Sequence, residues 1–104
     1  MLSPNRGEVW LVNLGMAAKV HPCLVLSVSI GPQDRVLATV VAHPTSPCGS
    51  RFEVAVSARI LKSGVFDAQN MATVPHAQLI RKLGDLAADQ LALVEEAIKR
   101  WLGL

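Results

Sequence analysis

The stretch Pro22–Ala42, PCLVLSVSIGPQDRVLATVVA, decides the fold. Its two apolar runs, Pro22–Ser29 and Arg35–Ala42, are rich in branched residues and far too short for long helices, which predicts strands. Gly31-Pro32-Gln33-Asp34 between them is turn chemistry. Pro22–Ser29 is apolar at successive positions, so it reads as a central strand covered on both faces. Moving outward, Glu8–Leu14 (EVWLVNL) lies between Gly7 and Gly15 as an earlier strand. Phe52–Val56 reads as a later one, with shorter strands near Val65–Ala68 and His76–Lys82. Two loops stand out, Met16–His21 and His43–Ser50. All six prolines fall at or before Pro75, and beyond Gly84 the only breaker is Gly103. A closing helix is therefore predicted from about Ala88, with Leu91, Val94, Ile98, Trp101 and Leu102 as its apolar stripe. Glu95–Lys99 and Glu96–Arg100 are i,i+4 pairs on its solvated face, and Gly103 suits the C-terminal cap. Five to seven short strands and one helix define a mostly β (α+β) barrel, with residues 1–104 as a single domain.

Composition narrows the function. Of 104 residues, 51% are hydrophobic and 17% charged, which excludes a disordered chain. No apolar stretch approaches the roughly 20 residues of a membrane-spanning helix, so no membrane partner is expected. Met1–Arg6 is polar and carries no secretory signal pattern. The two cysteines, Cys23 and Cys48, are too few for a disulfide scaffold, which predicts a reducing, cytoplasmic setting. Ten Lys and Arg against eight Asp and Glu give a net charge of +2, compatible with a polyanionic partner without demanding one. The apolar excess points to surface covered by a second copy or a partner.

No glycine-rich phosphate loop, paired CxxC, HExxH or hydrolase signature is present. His21, Cys23, His43 and Cys48 could together supply zinc ligands, but their spacing fits no regular framework. Two buried structural cysteines and two loop histidines are the preferred reading, with no metal and no cofactor. Trp10, Phe52, Phe66 and Trp101 sit in apolar patterns and read as core, and His76, after Pro75, reads as exposed in a turn. What remains is Lys19-Val20-His21-Pro22 and His43-Pro44-Thr45-Ser46, each at a strand end. If these loops meet, they build a site of cations and hydroxyls without a carboxylate, suited to a phosphodiester.

The same residues resemble a known family. Arg6-Gly7-Glu8-Val9-Trp10 is similar to the G-[DE]-[VI]-W opening of the MazF/PemK toxins. His21-Pro22 with Leu24-Val25-Leu26-Ser27 resembles their R-P-x-x-V-L-S segment. Val40-Val41 leading to Thr45-Ser46 resembles V-x-P-x-T-S, and Phe52-Glu53-Val54 resembles F-E-V. Ala68-Gln69, Thr73-Val74 and Ile80-Arg81-Lys82-Leu83-Gly84 follow the family's D-Q…T-V…[RK]-[KR]-[IL]-G region. The match spans nearly the whole chain in the right order.

The resemblance implies an SH3-like barrel with a C-terminal helix, working as a homodimer. It implies a sequence-selective, metal-independent endoribonuclease of a type II toxin–antitoxin system, inhibited by an antitoxin with an acidic disordered segment. In that reaction the 2′-hydroxyl of single-stranded RNA attacks the adjacent phosphorus, leaving a 2′,3′-cyclic phosphate and a 5′-hydroxyl. On this reading His21 and Thr45 are the catalytic pair, Lys19, Ser46 and Arg51 are phosphate contacts, and Gln69 binds substrate. The family arginine is replaced by His21, an imidazole that can move protons near neutrality but lacks a permanent charge and a bidentate fork. The aspartate of D-Q is Ala68. Counted from Val41 without a gap, Pro44 falls at the threonine position and Thr45 next to it. Two alternatives follow: a toxin homologue that binds antitoxin and RNA without turnover, and a CcdB-like gyrase poison, echoed loosely by Trp101-Leu102-Gly103-Leu104.

Overall fold

A computed structural model describes residues 3–15 and 19–104 of the chain. The strands are β1 (Glu8–Asn13), β2 (Val20–Val25), β3 (Leu37–Ala42), β4 (Glu53–Ala55), β5 (Val65–Asp67), β6 (Met71–Pro75) and β7 (Leu79–Asp85), followed by the helix α1 (Ala88–Leu102). Five strands form one antiparallel sheet in the order β6-β3-β2-β1-β7, and β4 and β5 pair separately. The architecture is the expected one, a mostly antiparallel barrel-like sheet with one C-terminal helix, although no hydrogen-bond ladder joins the two sheets among the described residues.

Both faces of the central strands are buried, which is why their sequences do not alternate cleanly. Val9, Leu24 and Val41 face one cluster with Phe66 of β5 and with Val94, Ala97 and Ile98 of α1. Trp10, Val12, Cys23, Val25 and Val40 face a second cluster closed by Val74 and Leu79. Successive residues of β1 thus enter opposite clusters, as strand geometry requires. The sheet bends where β1 meets β7, through register shifts between Val9 and Trp10 and between Leu11 and Val12.

Several expectations need correction. Met71–Pro75 is a strand, pairing with β3 from Leu37↔Pro75 to Val41↔Met71, where none was expected. His76–Gln78 is instead a short 3₁₀ turn, and β7 begins at Leu79. His76 is buried, with Nε2 3.2 Å from the Leu37 carbonyl oxygen, because the turn folds it back over β3. Trp101 is not core: it lies half exposed at the end of α1, edge-on to Phe52 with ring centroids 5.3 Å apart. Leu102 is exposed beside it, since the helix outruns the sheet it packs on. Glu95 pairs with Arg6 across the fold, and neither expected helix pair, Glu95–Lys99 or Glu96–Arg100, forms among the described residues. Cys48 is exposed, whereas Cys23 is fully buried and its thiol is pushed up to about 12 by that burial. The helix itself begins at Ala88 and ends on Gly103 in the left-handed conformation (φ 74°), as read. No helix among the described residues is long and apolar enough to cross a membrane.

One buried carboxylate ties the start of the barrel to its last strand. Glu8 accepts hydrogen bonds from the Asn5 backbone N–H (2.8 Å) and the Trp10 indole (2.9 Å), and pairs with Lys82 at 3.0 Å. Burial alone would raise its pKa, but these donors outweigh it and hold it at about 2, below the ordinary 4.5. Because the folded value is depressed, the stabilisation is complete above pH 4.5 and is lost as pH falls toward 2. Urea unfolding at pH 6 and pH 3 should differ by about 2 kcal/mol from this carboxylate, a difference largely absent in Glu8→Gln. An unchanged acid dependence in Glu8→Gln would assign it to other carboxylates.

Candidate RNA-cleaving cleft

The site grows from a register row that crosses four strands. Leu11 of β1 pairs with Pro22 of β2 on one side and Arg81 of β7 on the other. The β2–β3 register continues one step past Cys23↔Ala42, where the His43 N–H donates to the Pro22 carbonyl at 2.9 Å. His43, Pro22, Leu11 and Arg81 therefore stand abreast on one face. Over this row runs the segment 56–64, pinned at both ends. Ile60 fills the space that a Cβ on Gly84 would need, and Gly64 lies against the Pro44 carbonyl oxygen, the His43 ring and Thr45 Cα. The Val65 N–H donates to the Pro44 carbonyl (3.1 Å), and the Gln90 side chain donates to the Ser57 carbonyl (2.8 Å).

Between sheet and segment is a cleft of about 360 Å³. Its floor is Leu11 and Pro22, and its polar groups are His21, His43, Thr45, Lys62 and Arg81. No carboxylate among the described residues lines it. His43 is 1% exposed, edge-on to Phe66 with centroids 4.8 Å apart, and its Nε2 has no partner among the described residues. Burial lowers the His43 pKa below its ordinary 6.5, outweighing a contact with its own backbone, and this favours the neutral ring. Thr45 is exposed at the cleft mouth, and its hydroxyl makes no hydrogen bond among the described side-chain contacts.

Parts of the two stretches singled out in the sequence, Val20–Pro22 and His43 with Thr45, thus border one cleft. His21 and Thr45 border one cleft, but His21 sits at the end of β2 opposite Val12, and alternation assigns that pair to the face away from Leu11 and Pro22. The other four residues do not line the cleft. Lys19 is exposed with φ 56° and closes the β1–β2 connection, accepting from the Leu14 N–H at 2.8 Å. Met16–Ala18 of that loop lie outside the described residues. Ser46 is exposed one residue past Thr45. Arg51 lies over the Phe52 ring, 4.6 Å from its centroid, beside Trp101 and away from the cleft. Gln69 is exposed in the β5–β6 turn, where its N–H donates to Asp67 Oδ1 at 3.0 Å. After Thr45 the loop is fixed by Glu53, whose carboxylate accepts N–H groups from Cys48, Gly49 and Ser50, and these hold its pKa below the usual range. Among the described residues no group of three or more metal-ligating side chains is gathered.

Sequence reading missed Lys62 and Arg81 as cleft residues. The sequence carried no direct signal for Arg81, because its place beside Leu11 depends on the bulged register of β1 with β7, a tertiary feature.

A mostly antiparallel sheet capped by one C-terminal helix, with a cationic cleft at the β2–β3 strand ends, defines a small barrel-like β protein. Residues 5–102 match the family model of PemK-like, MazF-like toxins of type II toxin–antitoxin systems, and the chain belongs to that family. Among solved structures, it is similar to MazF in a MazE–MazF crystal structure from Deinococcus radiodurans, with 25% identity, 100% and 99% of the two chains covered and a TM-score of 0.83. It is similar to the Mycobacterium tuberculosis toxin MazF-mt6, with 27% identity, 93% and 97% covered and a TM-score of 0.78. An endoribonuclease from a Mycobacterial species shares the fold at 23% identity, with 100% and 95% covered and a TM-score of 0.82.

Proposed function

We propose that this chain is the toxin of a type II toxin–antitoxin pair and a sequence-selective, metal-independent endoribonuclease. The observation that carries this reading is the cleft itself. It combines an exposed threonine hydroxyl, two histidines and two cations, with no acidic side chain to repel a phosphodiester. Family membership and the mycobacterial endoribonuclease of the same fold support it.

In the proposed reaction the ribose 2′-hydroxyl attacks the adjacent phosphorus. The 2′ oxygen–phosphorus bond forms, the bond to the 5′ oxygen breaks, and the products are a 2′,3′-cyclic phosphate and a 5′-hydroxyl. His21 at the cleft edge exchanges the proton, and Thr45 donates a hydrogen bond to a phosphoryl oxygen as negative charge builds. Lys19 and Ser46 reach RNA that leaves the cleft, whereas Arg51 and Gln69 lie outside this path. We assign inhibition to a cognate antitoxin with an acidic disordered segment, as a MazE partner is present with the Deinococcus MazF. We assign the working form to a homodimer, whose second copy covers part of the exposed apolar side chains, which include Ile80 and Leu93.

A second reading, a homologue that binds without turnover, is favoured by the strand position of His21, opposite Val12 rather than on the row of Pro22. The test is cleavage of a long mixed-sequence RNA by the purified chain in EDTA, with end analysis of the fragments. Cleavage to cyclic phosphates that falls at least tenfold in His21→Ala supports the nuclease with His21 in its role. Cleavage undiminished in His21→Ala removes that role. Silence from the wild type with cleavage by His21→Arg supports the binding-only reading.

A further inference from the structure

Adjacent cations on β7 have opposite surroundings. Lys82 pairs with Glu8 at 3.0 Å and with Asp85 at 3.2 Å, so its charge is spent within the fold. Arg81, one residue earlier, points to the other face, stands abreast of Leu11 and Pro22, and lines the cleft. Among the described residues it has no acidic partner, and neither does Lys62. Lys62 is held opposite by the segment 56–64, whose Ile60 packs on Gly84 and whose Gly64 packs on Pro44 and His43, which fixes where that side chain begins. Two uncompensated cations thus converge on a cleft that holds no carboxylate.

We propose that Arg81 and Lys62 form the phosphate clamp of this cleft, a role that rests on its reading as an RNA site. A guanidinium presents a planar fork that matches two phosphoryl oxygens at once, whereas an ammonium acts as a point charge. Arg81 is the orienting member and Lys62 adds attraction from the opposite wall. Three strand spacings of about 4.8 Å separate Arg81 from His43, leaving the apolar floor of Leu11 and Pro22 free for the sugar and base beside the gripped phosphate.

The test uses a short single-stranded oligonucleotide with every 2′-hydroxyl replaced by 2′-O-methyl, so that binding is read without cleavage. Fluorescence anisotropy is followed over a salt series for wild type, Arg81→Ala, Arg81→Lys, Lys62→Ala and Arg35→Ala. Arg35 is exposed in the β2–β3 loop, outside the cleft, and serves as the charge-matched control. Arg81→Ala should weaken binding about tenfold and flatten the slope of log affinity against log salt by about 0.7. Lys62→Ala should flatten it similarly, and Arg35→Ala should stay within about twofold of wild type. Arg81→Lys should keep the wild-type slope while RNA cleavage falls, because the charge remains and the fork is lost. Wild-type binding and slope in Arg81→Ala would overturn the clamp and leave the RNA reading standing. A wild-type protein that binds no oligonucleotide even at low salt would overturn both.

Discussion

Thr45→Val should lower RNA cleavage by about a hundredfold or more while leaving the unfolding midpoint within a degree or two of wild type. Valine keeps the branched shape and removes only the hydroxyl. That hydroxyl has no hydrogen-bond partner among the described side-chain contacts, and the residue is exposed, so folding has little to lose. A positioned donor that meets developing charge contributes about 10²–10³ in rate, or about 3–4 kcal/mol at the transition state. Thr45→Ser should recover most of the activity. The measurement is initial rate on a defined RNA, with circular dichroism melts of the same preparations. The neighbouring Pro44 offers no competing explanation, because it has no N–H and its carbonyl accepts from Val65. Cleavage unaffected in Thr45→Val would transfer the phosphate contact to Ser46.

The fold was legible because its strands bury both faces and its helix buries one. The runs at Glu8–Leu14, Pro22–Ser29 and Arg35–Ala42 are too apolar for half-exposed strands, and the helical stripe from Leu91 to Ile98 lacks any breaker. Met71–Pro75 was missed because its residues are mostly half exposed and it ends on a proline; pairing with β3 makes it a strand, not its own pattern. Trp101 shows the reverse error. Helical spacing predicted burial, but a helix face is buried only as far as a partner surface extends, and this one ends near Phe52.

The cleft was half legible. Prolines and polar residues at the ends of two strands marked the loops of His21 and Thr45 without any three-dimensional information. Lys62 and Arg81 come from a loop and a bulged strand far along the chain, and only the register of β1 with β7 and the path of residues 56–64 bring them there. Arg51, by contrast, follows the same loop in sequence but is drawn onto the Phe52 ring by the start of β4. Closeness to a strand end was a poor guide by itself: Lys19, Arg51 and Gln69 each lie within two residues of a strand, and none lines the cleft.

Gly64→Ala should destabilise the protein by about 2–3 kcal/mol and suppress cleavage beyond what that loss explains. A Cβ at position 64 would collide with the Pro44 carbonyl oxygen and approach His43 Cε1 to 2.9 Å and Thr45 Cα to 3.0 Å. Two of these neighbours are backbone, and the third is a buried ring fixed against Phe66, so none can turn aside. Relief requires moving the 43–46 loop, and with it the Thr45 hydroxyl, or lifting the segment that carries Lys62. A loss of this size lowers the midpoint of a domain of about 100 residues by roughly 10 °C or more. Gly84→Ala is the matched comparison. Its Cβ would also meet atoms at 2.9 and 3.0 Å, but they belong to the Ile60 side chain, which can rotate. That variant should lose about 1 kcal/mol and retain activity measured well below its midpoint. Equal losses in the two variants would mean that the whole segment yields as one unit. A Gly64→Ala protein as stable as wild type would show that the segment is not pinned against His43 and Pro44, and the cleft would then lack the rigid wall that holds Lys62 opposite Arg81.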